Sequence, residues 1–141
     1  MVEPEDIVEL AREFSFDHLV CGNDQDLLRA TGMDGEDANA FFDAFARKYS
    51  VNMNDFLWFF HYTADEPPYW RRVKPVGRDG RAFPMLPITP RLLADAANER
   101  RWPLEYPTHR LSVSRWPMIV MFVLLASLVL AVTVLGATAT M

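Results

Sequence analysis

The chain has 141 residues, with 19 acidic and 14 basic side chains and a net charge of -5. That length allows one small domain, and the acidic balance argues against nucleic acid as a partner. The single cysteine, Cys21, excludes an intrachain disulfide.

Residues 3–14 predict an amphipathic helix. Pro4 suits a first turn, while Glu3, Glu5 and Asp6 meet the positive end of the dipole. Ile7, Leu10, Ala11 and Phe14 recur at helical spacing. Residues 15–35 lack sustained periodicity and read as a long loop. It holds a turn-like Cys21-Gly22-Asn23-Asp24 and a short apolar piece, Leu27-Leu28. Residues 36–49 carry the clearest helical pattern, with Ala38, Phe41, Phe42, Phe45 and Tyr49 on one face. Asp34, Glu36 and Asp37 stand at its start and Arg47 and Lys48 at its end, each favourable for the dipole. The run from Phe56 to Tyr62 is strongly aromatic. It predicts the core of the domain, with a partner-binding patch as the other reading.

Residues 67–90 hold six of the ten prolines and read as a linker. Gly77 and Gly80 around Arg78-Asp79 suggest a turn, compatible with a short hairpin near 71–86. Thr89-Pro90 then reads as a cap and first helical residue. Leu92, Leu93, Ala96 and Ala97 give the next helix its apolar stripe, and Pro103 stops it. Residues 103–115 look extended, a basic tether.

From Pro117 onward no residue is charged. Roughly 20 apolar residues in a helix match a bilayer core of about 30 Å. The expectation is therefore a single transmembrane helix over 116–137, followed by a short tail, 138–141. Arg110 and Arg115 precede it and no charged side chain follows, which places the N-terminal domain in the cytoplasm. Charge is divided along the chain. Residues 1–66 carry 15 acidic and 4 basic side chains, and residues 67–115 carry 10 basic and 4 acidic. The basic part adjoins the expected anchor. Arg71, Arg72, Lys74, Arg110 and Arg115, with Trp116 as an interfacial aromatic, are candidates for contact with a negative lipid surface. A solvated loop, or pairing with the acidic half, is the competing reading.

Helix, long loop, acidic-headed helix, short connection and final helix resembles the layout of an acyl carrier protein. The local match is Gly32-Met33-Asp34-Gly35-Glu36-Asp37. Carrier proteins have Gly-x-Asp-Ser-Leu-Asp there, and the serine carries phosphopantetheine. Gly35 replaces that serine and has no hydroxyl, so the resemblance implies the fold without the cofactor. The chain is also similar to a family of short bacterial proteins of unknown function, the family numbered fourteen-ninety-three. The similarity rests on Asp34-Gly35-Glu36-Asp37-Ala38, on Val51 to Phe56 and on Pro87-Ile88-Thr89, Leu92-Leu93, Ala96-Ala97 and Arg101-Trp102. It covers roughly residues 3–102 and implies no known activity. With the expected anchor, it implies a place in a bacterial inner membrane.

Motifs for chemistry are missing. His18, His61 and His109 lack metal-ligand spacing. A calcium loop fails because Ala30 would take its first ligand position. No phosphate-binding, nucleophile-elbow or dinucleotide motif occurs. Neither catalytic residue, metal nor cofactor is expected, and the chain is not expected to be an enzyme.

The fold expected is an all-α, carrier-like helical bundle over 1–102, a tether over 103–115 and the transmembrane helix. The function expected is a noncatalytic interaction or regulatory module. Its candidate docking residues are Asp34, Glu36, Asp37 and Asp43, its partners the lipid bilayer and an unidentified protein. A docking accessory of acyl-transfer or lipid-synthesis enzymes and a membrane-held immunity protein are the alternatives.

Overall fold

A computed structural model describes residues 1–15, 21–63, 73–113 and 116–139, with side chains in the last segment described for 119–132. Helix α1 spans Pro4–Arg12, α2 Leu27–Thr31, α3 Gly35–Tyr49, α4 Pro90–Glu99 and α5 Trp116–Ala139. Strand β1 is Val73–Val76, β2 is Arg110–Val113, and Trp58–Phe60 forms a 3-10 turn.

The periodic segments fold as their patterns dictate. In α1 the buried residues are Ile7, Val8, Leu10 and Ala11, and Asp6 reaches back to the Glu3 amide in a capping box. In α4 the Thr89 hydroxyl accepts from the Leu92 amide at 3.1 Å, and Leu93, Ala94, Ala96 and Ala97 turn inward. These two helices pack together. Their contact is fastened where the Asn98 side chain accepts from the Val2 amide and donates to its carbonyl, both at 2.9 Å. Phe41 and Phe45 of α3 fill the centre with Ile7, Leu27 and Leu93, all with no exposed surface. Leu27-Leu28, read as an apolar piece of loop, starts α2. The Leu27 amide donates to the Ile88 carbonyl at 2.7 Å, tying this helix to the segment before α4.

The aromatic run 56–62 joins the same core. The Phe56 ring lies 4.6 Å from that of Phe42 and 4.7 Å from that of Trp102. Phe60 is completely buried and Tyr62 nearly so. Aromatic pairs of this kind contribute about 0.5–1.5 kcal/mol each beyond their burial.

The all-α expectation is corrected here: the architecture is mixed, helices with a small antiparallel sheet. β1 pairs with β2 in the register Val73↔Val113 to Val76↔Arg110. A hairpin was expected near 71–86, but β1 takes its partner strand from the stretch read as tether. On β1's side the turn Gly77–Arg81 brings Ala82 back to bridge Val76, and the Phe83 amide donates to the Pro75 carbonyl at 2.9 Å. Pro75 has no amide hydrogen to give a ladder, so it suits this short strand.

The expectation of a spanning anchor is corrected as well. Among the described residues, no helix is long and apolar enough to cross a membrane. The side chains described in α5, 119–132, are apolar but for Ser127, and all are exposed. The single-pass inner-membrane placement and the cytoplasmic orientation drawn from it are withdrawn with it. Ser127 bonds back to the Val123 carbonyl at 2.8 Å, as a hydroxyl in an apolar helix does.

Candidate functional site

The acidic entrance of α3 divides by role. Asp34 is its N-cap, with extended backbone, and Oδ1 accepts from the Gly35 amide at 3.0 Å and from the Thr63 amide at 2.8 Å. The Thr63 hydroxyl donates to Oδ2. This carboxylate clamps the 62–63 segment onto the helix and has little left for a partner. Gly35 follows with φ of +50°, buried, its amide also 3.2 Å from the Thr63 carbonyl. Gly35 is thus a left-handed backbone position under a crossing segment.

Glu36, Asp37 and Asp43 are exposed and stand in no ion pair among the described residues. Glu36 and Asp43 are seven residues apart, so they share one stripe two turns long. That stripe points away from the buried side made by Ala38, Phe41, Phe42 and Phe45. Asp37 lies about 100° round the helix from Glu36. The Tyr62 hydroxyl donates to Asn39 Oδ1 at 2.5 Å beside this face. Burial, with help from the Asp34 and Asp43 charges, pushes the Tyr62 phenol up to about 12, so it stays a donor.

A second polar centre escaped the sequence reading. His61 is 5% exposed. Its Nδ1 lies 3.0 Å from the Leu86 carbonyl and its Nε2 2.7 Å from the Tyr106 hydroxyl. A carbonyl only accepts, so Nδ1 carries the proton and Nε2 accepts from Tyr106. Tyr106 Oη in turn accepts from Trp102 Nε1 at 2.8 Å and from the Leu57 amide at 3.4 Å. Every polar atom of the ring is satisfied with histidine neutral. Burial accordingly lowers the His61 pKa to about 4, against smaller upward pulls from the Leu86 hydrogen bond and Asp26. This network joins three segments of chain, and neither imidazole nitrogen is open to act as a base. Nothing in the spacing of residues 57, 61, 86, 102 and 106 announces it.

The basic candidates separate too. Lys74 and Arg110 are exposed on the small sheet. Arg71, Arg72 and Arg115 lie outside the described residues, as does the Trp116 side chain. His18 does too. The acidic α3 face and this basic sheet do not form one site: no contact joins α3 to either strand beyond isolated pairs.

Among the described residues, no group of three or more His, Cys, Asp or Glu side chains could hold a metal ion. Burial first, and Asp26 second, raise the Cys21 pKa, which disfavours the nucleophilic thiolate. A groove of about 780 Å³ runs between Asn54–Asp55 and the 101–109 stretch. It is lined by charges of both signs, with no paired acid and base.

No family model, no curated protein and no solved structure matches the chain.

Proposed function

We propose that this chain is a noncatalytic docking module, and that the outward stripe of α3 carrying Glu36 and Asp43 receives a basic protein partner. One observation supports the reading most. These two carboxylates are exposed, unpaired among the described residues, and held on a helix whose opposite side is locked in the aromatic core. A fixed helix presents charge without the ordering cost that a loop would bear. Asp34 supports the face by capping it rather than by touching the partner. Opposite charge of this kind sets association rate and specificity more than affinity.

The test is crosslinking in intact cells followed by mass spectrometry, comparing the natural chain with Glu36→Lys/Asp43→Lys. Both sites are exposed, so the fold is expected to survive. Loss of a basic partner from the doubly reversed chain is the expected result. An unchanged set of crosslinked proteins would sink the reading.

A further inference from the structure

The two edges of the small sheet differ. On the β1 side the edge is covered. Ala82 bridges Val76, the Gly77 amide donates to the Arg81 carbonyl at 2.9 Å, and the Phe83 amide donates to the Pro75 carbonyl at 2.9 Å. On the β2 side no further strand follows among the described residues. In an antiparallel strand the N–H and C=O of one residue point to the same side. The Pro75 carbonyl points to Phe83, away from β2, so Pro75 and Leu111 face each other as a pair without mutual hydrogen bonds. Leu111 therefore turns its own amide and carbonyl outward, away from β1. Val113, two residues on and opposite Val73, does the same. These outward groups have no hydrogen-bond partner among the described residues. The side chains of Leu111 and Val113 stand on one face of the sheet, 51% and 56% exposed. Arg110 and Ser112 stand on the other.

We propose that the open edge of β2 pairs antiparallel with the same edge of a second copy of this chain. The register that fits places Ser112 on the twofold axis. Leu111 then lies opposite Val113 of the second copy, and each such pair exchanges both of its outward N–H···O=C bonds. The four apolar side chains meet on one face of a four-stranded sheet. On the other face Ser112, which is uncharged, meets its own copy. The two Arg110 side chains are offset by four residues, about 13 Å along the strands, beyond a Debye length of roughly 8 Å. A twofold interface needs a strand complementary to itself, and Arg110–Val113 is one. Donors meet acceptors, apolar side chains meet apolar side chains, and like charges stay apart. That self-match favours a second copy over an unrelated strand. A four-residue edge buries far less than the roughly 1,000 Å² of a stable interface, so the dimer is weak and exchanges readily. It is independent of the α3 stripe, so either reading can fail alone.

The experiment is analytical ultracentrifugation of the full chain over a range of concentrations, beside Leu111→Pro. Non-ionic detergent is present throughout to cover the exposed apolar side chains of α5. Leu111→Pro removes an amide that points outward and none that pairs with β1, so the sheet is kept, as circular dichroism checks. A concentration-dependent dimer is expected, weakened at least about tenfold by the proline, since each copy loses a ladder bond. Disulfide trapping tests the register in a Cys21→Ser background. Opposed residues without mutual hydrogen bonds have Cα atoms about 4.5 Å apart, within disulfide reach. Ser112→Cys should therefore crosslink to its own copy under mild oxidation much faster than Glu9→Cys, an exposed site on α1. A dimer that Leu111→Pro leaves unchanged would overturn the proposal, as would equal crosslinking at the two cysteines. A chain that stays monomeric, with the Leu111 and Val113 amides exchanging freely, would overturn it too and leave the edge to another protein's strand.

Discussion

Gly35 shows how one residue permits one geometry. Its φ of +50° is a region where a side chain costs about 1–2 kcal/mol, and it is buried beneath Thr63. Gly35→Ser is therefore expected to destabilise the fold by about that amount in urea unfolding. His61 supplies a second residue-level outcome. In the unfolded chain it protonates near 6.5, in the fold only at about 4. Between those values the unfolded chain holds more protons, so stability falls as pH falls through that window, by up to about 3 kcal/mol. Below about pH 4 the loss from this group is complete. Denaturant midpoints measured from pH 7 to pH 4 should show the decline, and His61→Gln should flatten it.

Among the elements, the network around Tyr106 matters most. Tyr106→Phe keeps the ring that stacks 4.7 Å from Phe60 but removes the oxygen serving His61, Trp102 and Leu57. Leaving buried donors and an acceptor without partners is expected to cost about 2–4 kcal/mol, read by chemical denaturation. Helices α1, α3 and α4 were legible because each carries its own apolar period and its own cap. The sheet was not. β1 has four residues, one of them Pro75, and alternation over four residues cannot be told from a linker. Its partner lies beyond α4, in a segment with no pattern of its own. Charge and spacing single out Asp34, Glu36, Asp37 and Asp43 as acidic residues of α3, but not which of them serves the fold. Asp34 is drawn in because a cap and a docking carboxylate look alike until Thr63, 29 residues away, is in place.

At the scale of the whole molecule the described charges are unevenly placed, with carboxylates on α1 and the first half of α3 and with Lys74 and Arg110 on the sheet. A basic protein approaching the α3 stripe should be captured faster at low ionic strength than at high. Stopped-flow association with the partner found by crosslinking measures this. If rate and salt are unrelated, the carboxylates do not steer the encounter.

The clasp between Val2 and Asn98 has a consequence for how the chain is made. During translation the apolar side of α1, with Ile7, Leu10 and Ala11, emerges first, and its partner helix comes roughly 90 residues later. At about 5–20 residues per second, that side waits on the order of 5–20 s for its cover. Tyr106 and β2 arrive later still. Until then the apolar side of α1 is without the cover that α4 supplies, and only α3 is at hand to shield part of it.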